Sequence, residues 1–215
     1  MRLRLIRHAE AIGNAEARML GRQDQPLTAD GLTQAEQLGK QWQQTCCWRP
    51  QAIWTSPLQR AQQTAIALSQ GQTPVIPLLV QPALTEIDLG CLTGLTWPEA
   101  EQRYPDLCQQ LLRDRHWRPI PEAETLSDCR MRAEQVCTQL IHTEADLWVI
   151  SHGGFLQHLL AALLGCDRSW GLDWPLLGAI DLSLAHEDWD TAGRDRWNTS
   201  LWRWQILHWP SRSAI

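Results

Sequence analysis

The chain has 215 residues, a net charge of −5 and 44% hydrophobic residues. That length suits one hydrophobic core, and the composition excludes a disordered, collagen-like or coiled-coil chain. The acidic balance excludes a broad nucleic-acid or anionic-membrane surface as the main partner, yet leaves room for a local basic pocket that holds an anion. No stretch reaches the roughly eighteen apolar residues of a membrane span, and Met1 to Arg7 alternates arginine with apolar residues where a signal peptide would be continuously apolar. The cysteines, seven in number and scattered, show no zinc-ligand spacing. They fit reduced thiols in a cytoplasm, packed as small apolar side chains.

Leu3 and Leu5, with their neighbours up to Arg7, predict a short strand ending before His8. From Asp30-Gly31 onward, Leu32, Ala35, Leu38, Trp42 and Cys46 recur every three or four residues and predict an amphipathic helix. Ala52 to Thr55 reads as a second strand. Ser56-Pro57-Leu58-Gln59 has the order of a capping box, so a helix is expected from Pro57, with Leu58, Ala61, Ala65 and Leu68 buried and Arg60 off that stripe. Val75 to Val80 predicts a third strand, and Leu84 to Gly94 a loop that carries Glu86 and Asp88. Pro98, Pro105, Pro119 and Pro121 punctuate short helices, an excursion over one sheet edge within residues 92–122. A long helix is expected from Thr125 to Thr143, an apolar strand from Leu147 to Ile150, and a helix from Phe155 to Leu164. Ala179 to Ala185 and Leu201 to Leu207 predict an antiparallel pair at one edge. The alternation predicts a single domain over residues 1–215 with an α/β fold: a mainly parallel central sheet, helices on both faces, and an antiparallel edge strand.

Ligands of open α/β sheets collect beyond the carboxyl ends of the strands. The predicted elements bring Arg7, His8, Arg60, Glu86 and His152 to that rim. Two arginines offer planar forks of donors, and the helix starts after Ser56 and His152 add backbone amides and positive dipole ends. Gly153 and Gly154 keep their N–H groups open to a phosphoryl oxygen. The set suits phosphoryl transfer: a nucleophile in His8, charge stabilisation by Arg7, Arg60 and His152, and a proton from Glu86. For attack, one ring nitrogen of His8 must keep its lone pair while the other donates to a carbonyl or carboxylate.

Packing or solvation is the reading for His116, His142, His158, His186 and His208. Arg2 and Arg4 are expected on the solvent side of the first strand. Glu10 either orients Arg7 or starts a turn, and Asp88 either raises the proton affinity of Glu86 or faces water. Trp42, Trp54, Trp148, Trp202 and Trp204 fall at core-like phases, whereas Trp97 and Trp117 sit where a lid would be shaped.

Leu5-Ile6-Arg7-His8-Ala9-Glu10, followed by Asn14, resembles the signature of the histidine phosphatase superfamily, the phosphoglycerate-mutase-like proteins. Further blocks resemble the family in the same order. They are Asp24 with Pro26-Leu27-Thr28 and Gly31, Thr55-Ser56-Pro57-Leu58 with Arg60-Ala61 and Thr64-Ala65, Glu86 with Gly90 and Gly94, Glu124-Thr125, and Ser151-His152-Gly153-Gly154. Together they cover residues 3–165. Ala9 and Ala11 depart from the usual Gly and hydroxyl residue.

The resemblance implies a phosphohistidine at His8, a phosphoryl group gripped by Arg7, Arg60 and His152, with Asn14 and Gly153 joining, and Glu86 as acid and then base. It implies no metal and no cofactor. Ile87-Asp88-Leu89-Gly90 after the acid, and the short stretch before His152, resemble the compact phosphatase branch rather than the cofactor-dependent mutases. Within that branch the implied activity is metal-independent hydrolysis of a small phosphorylated metabolite. L-phosphoserine, a substrate of serine biosynthesis, is the lead, with Arg115, His116 or Arg118 placed to meet its carboxylate. The alternatives are an α-ribazole-phosphate or broad-specificity phosphatase, a phosphoglycerate mutase, and a non-catalytic regulatory module that only binds phosphate. No nucleic-acid or membrane partner is implied, and the tail strands offer a surface for a homodimer.

Overall fold

The computed structural model describes residues 1–46, 48–113, 119–166, 172–184, 202–208 and 210. Six strands, β1 (Arg2–Arg7), β2 (Ala52–Thr55), β3 (Leu78–Val80), β4 (Leu147–Ser151), β5 (Ala179–Leu184) and β6 (Trp202–His208), form one sheet in the order β3-β2-β4-β1-β5-β6. The first four run parallel; β5 runs against β1 and β6 against β5, the antiparallel pairing expected at that edge.

Alternation along the strands splits the core into two layers. Leu3, Leu5, Leu147 and Val149 face α6 (Leu126–His142) and α7 (Gly153–Leu164), while Ile6, Trp148 and Ile150 face α2 (Ala29–Thr45) and α3 (Gln59–Ser69). Every residue of β4 is buried, as expected for a central parallel strand covered on both faces. The 92–122 excursion contains α4 (Trp97–Arg103) and α5 (Pro105–Arg113), which close a small separate core around Leu92, Ala100 and Cys108. The short α1 (Ile12–Ala15) follows the β1 end. Among the described residues, no helix is long and apolar enough to cross a membrane.

Three expectations need correction. The third strand is confined to Leu78–Val80, and Val75 is 87% exposed; Pro77, without an N–H, does not extend the ladder toward Val75. In α2 the buried face is Gly31, Ala35, Leu38, Gly39 and Trp42, whereas Leu32 is 40% exposed. Its position is set by close backbone approach, since a Cβ on Gly39 would lie 2.5 Å from the Leu68 carbonyl oxygen in α3. Gly39→Ala should therefore push α2 from α3 and destabilise the fold by about 1–3 kcal/mol. A urea melt with an unchanged midpoint would contradict this packing.

Arg4 is the third correction. It is fully buried, because it shares the face of Ile6, and its guanidinium makes two bonds to Asp181, at 2.7 and 2.8 Å. The rings of Trp42, Trp48 and Trp148 lie 4.4, 5.0 and 5.4 Å from it, so aromatic faces and one carboxylate replace water. Arg2 is exposed and pairs with Asp146, as a solvent-side residue does. Cys108, Cys129 and Cys137 are buried, and Trp42, Trp54 and Trp148 lie in the core. Arg115, His116, Trp117, Arg118 and His186, with the side chains of Trp202 and Trp204, lie outside the described residues.

Candidate active site

The carboxyl ends of β1, β2 and β4 meet where β4 lies between strands that are remote in sequence, the crevice in which open parallel sheets bind ligands. Backbone bonds fix the ends to one another: the His8 N–H donates to the Ser151 carbonyl at 2.9 Å, and the Ser56 N–H donates to the Ile150 carbonyl at 3.0 Å. His8, Arg60 and His152, expected at one rim from three distant segments, are buried together, with the two imidazole centroids 5.0 Å apart.

His8 Nδ1 donates to the Ala9 carbonyl at 2.6 Å. That bond fixes the tautomer and leaves the lone pair on Nε2, which accepts from Arg60 Nε at 3.3 Å. The loop is held by Thr64, whose hydroxyl accepts from the Ala9 N–H and donates to the Arg60 carbonyl. Arg60 also donates from its two terminal nitrogens to the Gln23 and Gly21 carbonyls, at 2.7 and 2.8 Å. Contrary to the expected stripe, Arg60 is on the buried side of α3.

The start of α3 also differs. The helix begins at Gln59, and no side chain of its N-cap residue Leu58 caps it. Asp24 does so from another loop, accepting from the Gln59 N–H at 2.7 Å and from the Gln59 side-chain amide at 3.2 Å. This is favourable at a helix N-terminus. Ser56 is thereby released for another contact, 2.7 Å from His152 Nε2.

Glu86 sits in the loop after β3 and accepts three backbone N–H groups: Ile87 at 2.9 Å, Phe155 at 2.9 Å and Gly154 at 3.3 Å. The N-terminus of α7 therefore holds a carboxylate, and the Gly154 N–H is not reserved for a phosphoryl oxygen as the sequence suggests. Glycine is required at this position for room: a Cβ on Gly154 would come 2.8 Å from Glu86 Oε1. Arg132 in α6 braces the same loop by donating to the Ala83 and Thr85 carbonyls and to Glu124, with Phe155 stacked 4.1 Å from its guanidinium.

Arg7 donates to the Trp174 carbonyl at 2.5 Å. It lines a cleft of about 500 Å³ with Glu86, Gly153, Gly154, Gln157, Leu172, Asp173 and Trp174. Asn14 turns its side-chain carbonyl to the Ala11 N–H, and Glu10 accepts from Thr28, so Glu10 shapes a turn. Asp88 accepts from the Gly90 N–H within its own loop. The sequence holds no signal for the carbonyls of Gly21, Gln23 and Trp174 as partners of the two arginines, because a main-chain acceptor leaves no mark on residue type.

Burial lowers the pKa of His8 well below the usual imidazole value, and the Arg7 and Arg60 charges lower it further. His152 is lowered in the same way, by burial first and then by His8, Arg60 and Arg7. Both rings are neutral when folded, whereas in the unfolded chain they protonate near the ordinary value of about 6.5. The unfolded state thus binds more protons on acidification. The stability contribution is complete above about pH 6.5 and is lost below it, at up to about 1.4 kcal/mol per pH unit for each group until the folded pKa is reached. Urea melts between about pH 7 and pH 5 should show this fall, and His152→Asn should flatten it. An identical slope in the variant would contradict the buried, neutral ring.

Buried neutral imidazoles beside two guanidiniums, with a carboxylate across an open cleft, suit a phosphoryl group and its transfer. Comparison with known proteins agrees. Residues 3–199 match the family described as the histidine phosphatase superfamily (branch 1). A metal-independent phosphoserine phosphatase of Arabidopsis thaliana is 32% identical over 163 residues, 71% of this chain and 64% of that protein; the chain thus spans just under two thirds of the plant protein's length. A 2,3-bisphosphoglycerate-dependent phosphoglycerate mutase of Bartonella henselae is 31% identical over 76% of this chain and 81% of its own. The structure of a mycobacterial glucosyl-3-phosphoglycerate phosphatase in complex with VO3 superposes with a TM-score of 0.74 at 25% identity, covering 95% of this chain and 97% of that one. The chain belongs to the histidine phosphatase superfamily, and its fold is phosphoglycerate-mutase-like.

Proposed function

We propose that this chain is a phosphatase that acts through a phosphohistidine on His8, and that its substrates are small phosphorylated metabolites with L-phosphoserine as the first candidate. The observation that carries the mechanism is the committed tautomer of His8, with Nδ1 on the Ala9 carbonyl and Nε2 beside Arg60. In the first half-reaction the Nε2 lone pair attacks phosphorus, the ester P–O bond breaks, and a proton from Glu86 passes to the departing alkoxide. In the second, Glu86 takes a proton from water, the hydroxide attacks phosphorus, and the P–N bond breaks to release phosphate and restore both residues. Arg7, Arg60 and His152 stabilise the charge on the phosphoryl oxygens, and Asn14 and Gly153 join them.

Hydrolysis rather than mutase chemistry is supported by the Ile87-Asp88-Leu89-Gly90 run after the acid and the short stretch before His152, which resemble the compact phosphatase branch. The phosphoserine assignment is supported by the plant relative and by a compact pocket. A panel of phosphomonoesters at equal concentration tests the assignment: phosphoserine should give the highest kcat/KM, and parity with phosphoglycerates or nitrophenyl phosphate would remove it. Catalysis by side chains alone predicts an undiminished rate in EDTA; loss of the rate, restored by a divalent cation, would contradict it.

A further inference from the structure

We propose that Ser56 is a positioning residue that fixes the tautomer of His152, placing the proton on Nδ1, where a phosphoryl oxygen accepts it; this rests on the phosphatase reading above. Ser56 and His152 are both fully buried. The Ser56 hydroxyl has two neighbours, the Leu58 N–H at 3.3 Å and His152 Nε2 at 2.7 Å. The Leu58 N–H can only donate, so it occupies a lone pair on the Ser56 oxygen. The Ser56 O–H proton then has one acceptor within reach, the lone pair of His152 Nε2. If Nε2 carried the proton instead, the hydroxyl hydrogen would be buried without an acceptor, which costs about 1–3 kcal/mol.

The other end of the ring agrees. His152 Nδ1 is buried and has no hydrogen-bond partner, a state that an incoming acceptor would relieve. The surrounding charges decide which ligand that is. Arg7 and Arg60 are the nearby cations acting on His152 together with Arg132, so an anion is drawn to this site, and an Nδ1–H meets an oxyanion where an Nδ1 lone pair would repel it. Ser56 reaches this position because its N–H is pinned to the Ile150 carbonyl at the end of β4, two residues before His152. Asp24 takes over the capping of α3 that its sequence context suggests for Ser56.

The test is a nitrogen-15 two-bond correlation spectrum of the histidine rings at about neutral pH, with His152 assigned by its disappearance in His152→Asn. Wild type should show a protonated Nδ1 and an unprotonated Nε2. A ring protonated on Nε2 alone, or on both nitrogens, would overturn the proposal. In Ser56→Ala the His152 pattern should shift toward Nε2–H. Its kcat should fall by about 10- to 100-fold with a smaller change in KM, less than the roughly 10²- to 10³-fold loss of removing such a donor outright. Ser56→Thr, which keeps the hydroxyl, should restore the Nδ1–H pattern and most of kcat. An Ser56→Ala enzyme with wild-type kcat and pattern would overturn the proposal, and if that variant fails to fold, the wild-type spectrum alone decides. Failure of the phosphatase reading would look different: no turnover and no covalent phosphate in the wild type, whatever the tautomer of His152.

Discussion

Replacing His8 with alanine is expected to lower kcat by about 10⁴- to 10⁶-fold on every phosphomonoester the wild type turns over, the range seen when a covalent nucleophile is removed. No neighbouring group can substitute. His152 has Nε2 occupied by Ser56, Arg7 and Arg60 are cations without a lone pair to offer, and the Glu86 carboxylate is engaged by the Ile87, Gly154 and Phe155 N–H groups. The phosphate-binding groups survive the change, since Arg60 remains anchored on the Gly21 and Gln23 carbonyls and Arg7 on that of Trp174. The variant should therefore still bind inorganic phosphate or vanadate in a calorimetric titration while failing to turn over ester. A His8→Ala enzyme that keeps more than about a hundredth of wild-type kcat would contradict nucleophilic catalysis at this ring.

The second large effect is on Glu86, and it depends on the leaving group. Glu86→Gln should slow hydrolysis of an alkyl phosphate by about 10²- to 10⁴-fold, because an alkoxide leaves poorly without a proton. Nitrophenyl phosphate, whose phenolate leaves unassisted, should lose much less in the phosphorylation step. The glutamine oxygen can still accept from the Ile87 and Phe155 N–H groups, while its NH2 faces the Gly154 N–H that the carboxylate accepts. Some displacement is therefore expected, but it would affect both substrates alike, since they share one phosphoryl site. The ratio of the two losses isolates the proton. Equal losses on alkyl and aryl substrates, measured by burst kinetics, would contradict an acid role.

Much of this site was legible because the chemistry-bearing residues occupy strand ends. Apolar runs at Leu3 to Arg7, Ala52 to Thr55 and Leu147 to Ile150 place those ends, and the topology of a parallel sheet brings His8, Arg60 and His152 together without further information. Local pattern failed where a contact was made by a distant partner. Ser56-Pro57-Leu58-Gln59 has the form of a capping box, yet the cap comes from Asp24, far away in sequence. Arg4 alternates with Leu3 and Leu5 like a solvent-side residue, yet three tryptophans and Asp181 cover it, and strand alternation does not say whether the second face is wet. Gly31 and Gly39 turn α2 because of what their missing side chains would strike, a property that a hydrophobic pattern does not register. Sequence alone makes the amides at the head of α7 phosphate ligands, whereas two of them hold Glu86, since a helix N-terminus takes whichever anion lies nearest.

The most direct test of the account is chemical quenching of the wild-type enzyme within its first turnovers on a phosphorus-labelled substrate, followed by peptide mapping. The account predicts one phosphoryl group bound through nitrogen, labile in acid and stable in base, on the peptide that carries His8, and its absence from His8→Ala. Turnover with no covalent phosphate, or with phosphate on any other residue, would contradict it.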